Sequence, residues 1–238
     1  MRFPISLIDA SQSLSFPAAA SPAPARRRAS AGACNLADCL PIGRGSERVI
    51  YEHPANPGLL LKILDRSQQR SRKRQARWYT RYLREGEYRL FLTELSEYVA
   101  AAARADSNWC ELPIAGVSGV IQTSLGMALV VEKIIGEDGG LAPTLEHILA
   151  KRSFTAELRL ALDAFFQSLA DHHIIFNDVG PSNIVYGRNS AGRLGFYLID
   201  GFGVKQCVPL YAWSQHLNRR RLQRKYVAML ARMAHHAA

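Results

Sequence analysis

Apolar residues along positions 40–64 come in three short bursts. Leu40-Pro-Ile-Gly-Arg-Gly45 is an apolar run ending in a glycine turn, and Arg48-Val-Ile-Tyr-Glu-His53 is a β-favouring run. Leu59-Leu-Leu-Lys-Ile-Leu64 is apolar on both sides of one lysine, and the dense turn chemistry of Pro54-Ala-Asn-Pro-Gly58 precedes it. Short strands with turns between them predict an antiparallel meander. The period then changes. Leu83, Leu90, Phe91, Leu95 and Tyr98 recur near helical spacing, predicting an amphipathic helix that runs to about Ala103. Residues 117–123 and 127–134 predict a hairpin across Ser124-Leu-Gly126, and Thr144 opens a short helix. A longer helix, capped by Ser153 or Thr155, lines up Leu158, Leu162, Phe165, Phe166 and Leu169 on one face and stops at His172-His173. Ile174-Ile-Phe176 is β-like and leads into the polar loop Asn177-Asp-Val-Gly-Pro-Ser-Asn183. Ile184-Val-Tyr186 and Phe196-Tyr-Leu-Ile199 predict a second hairpin, closed by Asp200-Gly201, and a basic helix follows from Trp213.

Composition narrows the class. The 238 residues suit one domain or two small lobes, and 48% hydrophobic with 21% charged residues excludes disorder throughout and a fibrous repeat. Thirty Lys and Arg against 20 Asp and Glu give a formal charge of +10, which favours polyanionic partners such as nucleotide phosphates, nucleic acid or anionic lipid. Cys34, Cys39, Cys110 and Cys207 include no C-x-x-C pair, so a reducing, cytoplasmic setting is expected. Residues 112–131 carry no charge, but Pro113, three glycines and several polar residues break the stretch into strands, and no membrane span is expected. Residues 1–35 are rich in Ala, Ser and Pro, with Arg26-Arg27-Arg28 and a single acid, Asp9. They are expected to be a disordered tail, with a transit peptide as the alternative.

Taken singly, the polar features have plain readings. Gly43-Arg-Gly45 serves as a hairpin turn, Lys62 as an edge-strand lysine in solvent, and Asp178, Asn183 and Asp200 as turn formers. His172-His173 reads as a helix end meeting its own dipole. Their order suggests more. Strand, glycine turn, two strands with one lysine, helix with acids, hairpin, long helix, Asp-x(4)-Asn loop, hairpin, Asp-Gly is the layout of the protein-kinase fold. A nucleotide triphosphate needs backbone close to its phosphates, which Gly43 and Gly45 permit, and a fixed cation, which Lys62 supplies. Mg²⁺ takes oxygen ligands such as Asn183 and Asp200, and an attacking hydroxyl needs a carboxylate such as Asp178.

The chain resembles the YrbL family, the PhoP regulatory network proteins of bacteria, within the protein-kinase-like superfamily. The resemblance rests on residues 41–54, Leu61-Lys-Ile63, Arg84-Glu-Gly-Glu-Tyr88, Pro181-Ser-Asn-Ile-Val185, Leu198-Ile-Asp-Gly201 and Trp213-Ser-Gln215. It implies an α+β, protein-kinase-like two-lobed fold with a truncated C-terminal lobe. Residues 36–135 would form the N-terminal lobe and 136–238 the reduced, mainly helical C-terminal lobe. It further implies ATP and Mg²⁺ between the lobes, Asp178 as base, Asn183 and Asp200 as metal ligands, and a helix glutamate paired with Lys62. Glu87 is the expected partner and Glu85 the fallback.

Several positions depart from the kinase pattern. Arg48 replaces the third glycine of G-x-G-x-x-G, where it would crowd or contact the phosphates, and Phe176-Asn177 replaces His-Arg before the catalytic Asp. Gly180 stands where a protein-serine kinase carries Lys, and Gly201, expected to be flexible, where a packing Phe would follow Asp200. Only 38 residues follow Asp200, too few for a standard peptide-binding lobe. Three readings stay open: a phosphotransferase with an unknown acceptor, a catalytically silent pseudokinase that senses nucleotide or meets a regulatory protein, and a nucleic-acid binder. The last rests on eight basic residues interleaved with Trp78, Tyr79 and Tyr82 over positions 66–84.

Overall fold

The computed structural model describes residues 34–45, 47–65, 85–105, 111–204 and 210–237. The Ala-, Ser- and Pro-rich tail up to residue 33, the basic 66–84 stretch, Cys110 and Cys207 lie outside the described residues. All the described residues belong to one unit.

Five strands form an antiparallel sheet in the order β1-β2-β3-β5-β4. They are β1 (Gly43–Arg44), β2 (Arg48–His53), β3 (Asn56–Leu64), β4 (Val117–Thr123) and β5 (Gly126–Glu132). The middle strand, β3, is covered on both faces, which explains why its run is apolar on both sides of Lys62. Leu61 and Ile63 pack with Leu36, Ala128 and Val130 on one side. Leu60 and Leu64 meet the main core on the other, with Phe91, Leu129 and Val131. The uncharged 112–131 stretch contains β4 and all of β5 but its last residue, Glu132, and the two residues between Thr123 and Gly126 join the strands. Thr123 Oγ1 fixes that turn, donating to Gly126 O at 2.7 Å and accepting from Leu125 N–H at 3.2 Å. No helix among the described residues is long and apolar enough to cross a membrane.

Helix α1 (Arg89–Arg104) buries Phe91, Glu94, Glu97 and Ala101, a face at helical spacing. Helices α2 (Leu145–Ala150) and α3 (Ala156–Asp171) are capped by the hydroxyls of Thr144 and Thr155, which accept from His147 N–H and Leu158 N–H. Helix α3 buries Leu162, Phe165, Phe166, Leu169 and Ala170. Its end matches the His172-His173 stop: His172 Nδ1 lies 2.9 Å from Ser168 O, and His173 Nε2 lies 2.6 Å from Tyr211 O. The β-like run Ile174-Ile-Phe176 forms no strand and makes one bridge, Phe176 to Phe202. The second hairpin is β6 (Ile184–Arg188) with β7 (Leu194–Leu198). Helices α4 (Leu210–Trp213) and α5 (Gln215–Ala237) complete an element order that follows the succession expected from the sequence. One core runs through the fold, linking Phe91 and Leu129 of the sheet region to Phe166, Phe176, Leu198, Phe202 and Tyr226.

Candidate functional site

Lys62 lies in the middle of the sheet, opposite Ile50 on β2 and Leu129 on β5. Its side chain points to the α1 side, and only 5% of the residue is exposed. An ammonium so enclosed requires partners. Its Nζ donates to Glu94 Oε2 at 3.2 Å and to the carbonyl of Ile199, just past β7. Lys62 therefore ties β3 to α1 and to a segment 137 positions further along the chain. The solvent-facing edge reading fails.

The partner is Glu94 and not Glu87 or Glu85. Helix α1 begins only at Arg89; Glu87 sits in a 3₁₀ turn before it (Gly86–Tyr88), and Glu85 is exposed one residue earlier. The carboxylate that faces β3 shares the buried stripe of Phe91 and Ala101. Glu94, 2% exposed, uses its second oxygen as well: Arg48 Nη2 lies 2.5 Å from Oε1. Arg48 opens β2 opposite Leu64, on the Lys62 face of the sheet. Its Nη2 is also 3.7 Å from Asp200 Oδ1, and its guanidinium carbon lies 5.8 Å from the Phe91 ring centre. Burial opposes its charge, but Glu94 and Asp200 together outweigh burial and raise the pKa above its already high value.

The second half of the site is assembled by the β6–β7 hairpin. Asn183 precedes β6 and Asp200 follows β7, so pairing of Ile184 with Leu198 brings the two ends together. Ile199 N–H closes the junction by donating to Asn183 O at 2.9 Å. Asn183 Nδ2 donates to Asp178 O at 2.9 Å and to Asp178 Oδ2 at 3.2 Å, leaving Oδ1 as an acceptor. Gly201 is a tight spot and not a loose one. It holds φ +80°, and a Cβ there would come within 3.1 Å of Asn183 Nδ2 and 3.2 Å of Asp178 Cβ. Its carbonyl accepts from Asn177 N–H and its N–H donates to Asp200 Oδ1 at 2.6 Å. Desolvation alone would raise the Asp200 pKa. The Lys62 and Arg48 cations override it and hold the carboxyl at about 2.

A Cβ at Gly43 or Gly45 would meet only ordinary contacts at 3.8 Å, so the protein's own packing does not demand glycine there. The open approach is free for a ligand. Gly45 N–H is not free, because it closes the turn onto Arg48 O at 2.8 Å. The oxygens of Asn183 and Asp200 are hard donors that suit Mg²⁺ completed by phosphate oxygens. Among the described residues no group of three or more His, Cys, Asp or Glu could hold a metal without such help.

Three contributions escaped the sequence reading. Glu94 was hidden by the helix start. Arg48 stands out in the sequence as a lost glycine that would crowd or contact phosphates, with no sign of Glu94 or Asp200 as its partners. Arg221 and Lys225 of α5 registered only as part of a basic run. Arg221 Nη2 donates to Asn177 Oδ1 at 2.9 Å, and Lys225 Nζ donates to Asn177 O, beside Asp178. Burial and Arg221 lower the Lys225 pKa, while Asp178 pulls it up. Their i, i+4 spacing, which puts both on one helix face, was the available signal. Glu97 is another silent contributor. It accepts Ile175 N–H at 2.8 Å, fixing α1 to the segment that leads into Asp178.

The family model described as PhoP regulatory network protein YrbL matches residues 34–234. The protein named uncharacterized protein YrbL of Escherichia coli (strain K12) is 25% identical over 202 residues, covering 84% of this chain and 87% of that protein. Its namesake in Shigella flexneri matches to the same extent. Among solved structures, the crystal structure of Rad53 1–466 in complex with AMP-PNP shares 11% identity at a TM-score of 0.41, covering 69% of this chain and 38% of that one.

Proposed function

The chain belongs to the PhoP regulatory network protein YrbL family, and on that footing we propose that its cleft binds a nucleotide triphosphate as a kinase-like phosphotransferase. The observation that carries this reading is the buried Lys62–Glu94 pair, which holds an ammonium against the Asn183–Asp200 junction. An orientated cation next to a carboxylate–amide pair is what phosphoryl transfer requires, because its catalysis is mostly positioning and charge stabilisation. Lys62 binds phosphate oxygens, and the glycines of the β1–β2 turn let backbone approach them. Asn183 and Asp200 would hold Mg²⁺, whose chemistry is to neutralise charge that develops on the phosphates. Asp178, exposed beside Asn183, takes the proton of an acceptor hydroxyl as that oxygen bonds to the terminal phosphorus and the nucleoside diphosphate leaves.

Thermal-shift titration with ATP tests the binding, since a ligand selective for the native state must raise its melting temperature. A shift that Lys62→Met abolishes is expected. Phosphoryl transfer or ATP hydrolysis should fall by about 100-fold or more in Asp178→Asn. A shift without turnover in the unaltered protein replaces this reading with that of a silent nucleotide sensor. No shift ends both.

A further inference from the structure

The cleft contains one cation more than a kinase-like arrangement uses. Arg48 and Lys62 each engage one oxygen of Glu94, and both face Asp200. Two positive and two negative groups leave this cluster formally neutral. Without Arg48 it would carry one net negative charge, the condition that calls for a divalent ion at Asp200. The guanidinium already stands 3.7 Å from Asp200 Oδ1, where it repels a second cation.

The guanidinium is also only half used. Arg48 is 5% exposed, its Nη2 is committed to Glu94, and its Nη1 is buried with no hydrogen-bond partner among the described residues. A buried donor left unpaired costs about 1–3 kcal/mol, a cost that an anionic oxygen entering the cleft removes. Arginine suits such a task because its planar fork can bond a carboxylate with one arm and a phosphate oxygen with the other. The position fits too. Arg48 follows directly on the β1–β2 glycine turn, and its carbonyl closes that turn.

We infer that Arg48 is a resident cation that competes with divalent metal for Asp200 and pairs with the phosphates itself, so that the cleft binds nucleotide triphosphate without Mg²⁺. This rests on the nucleotide reading above. It adds that the charge usually brought by the metal is built into β2.

Calorimetric titration with ATP, in EDTA and in Mg²⁺, tests it by binding alone. The unaltered protein should bind ATP with affinities that agree within about threefold in the two conditions. Arg48→Gln should lose about 10–100-fold in EDTA, the worth of a charge-assisted bond, and recover in Mg²⁺. Arg48→Lys, which keeps the charge, should lie between. Mg²⁺ titrated alone should bind Arg48→Gln more tightly than the unaltered protein. If the unaltered protein binds ATP only with Mg²⁺, or if Arg48→Gln binds equally well in EDTA, the inference fails and the nucleotide reading stands. If ATP binds under neither condition, both fail.

Discussion

Replacing Glu94 with glutamine separates the two candidate partners of Lys62 most sharply. The carboxylate is 2% exposed and faces two cations whose side chains are 6% and 7% exposed. Glutamine keeps the shape and removes the charge, so two buried cations lose their shared counter-ion. Removing one member of a buried ionic pair costs about 3–5 kcal/mol. In a folded unit of this size that corresponds to a fall in melting temperature of roughly 6–20 °C. Urea unfolding followed by circular dichroism reads it as a lower midpoint at an unchanged slope. Glu87→Gln is the matched control: on a half-buried turn ahead of the helix it should change stability by less than ~0.5 kcal/mol. Adding Arg48→Leu to Glu94→Gln removes one stranded cation and should recover part of the loss. A Glu94→Gln cost below ~1 kcal/mol, or an equal cost at Glu87, would refute the pairing.

Two further predictions concern titrating groups. Desolvation raises the Glu97 pKa above 4.5, with the bond from Ile175 N–H pulling the other way. Because the folded state holds the proton more tightly, the contribution of this group is full below the unfolded pKa and is lost as pH rises through the folded one. Glu97→Gln should therefore be at least as stable as the native chain at pH 7 and flatter in its pH dependence above 4.5. Glu97→Ala strands Ile175 N–H and should cost about 1–3 kcal/mol, measured in the same unfolding assay. For Asp200 the sign is opposite: its depressed pKa contributes stability above 3.8 that is lost as pH falls toward about 2. The carboxylate keeps 42% of its side-chain surface in solvent, so screening reduces the effect to about 1 kcal/mol. Acid unfolding of Asp200→Asn against the native chain should lack that component; identical acid limbs would contradict it.

The element order was readable because it is written in local chemistry. Turn residues bound the strands, and threonine caps mark α2 and α3 before any packing is known. Lys62 stood out as the single charge in an apolar run. The Glu94 pairing was not readable for a matching reason: the residue before α1 is Tyr88, whose side chain makes no cap. With no start signal, the apolar spacing from Leu83 places Glu87 inside the helix, and the family resemblance then favours it over the glutamate on the Phe91 stripe. Arg48 has no local signature either, since its two carboxylate partners lie on α1 and beyond β7. Gly201 looked like slack in a loop because a close approach by Asp178 and Asn183 exists only after the hairpin has folded back.

Helix α5 sets the order in which this protein is finished during its own synthesis. Asn177, next to Asp178, is clamped by Arg221 and Lys225, and its neighbour Ile174 is bonded through its carbonyl by Asn218. On the ribosome the sheet, α1 and both hairpin strands emerge before any of those three side chains exists outside the tunnel. Until α5 has emerged, the Asp178 loop is held by its bonds to Gly201 and Asn183, and it gains the α5 contacts when that helix docks behind it.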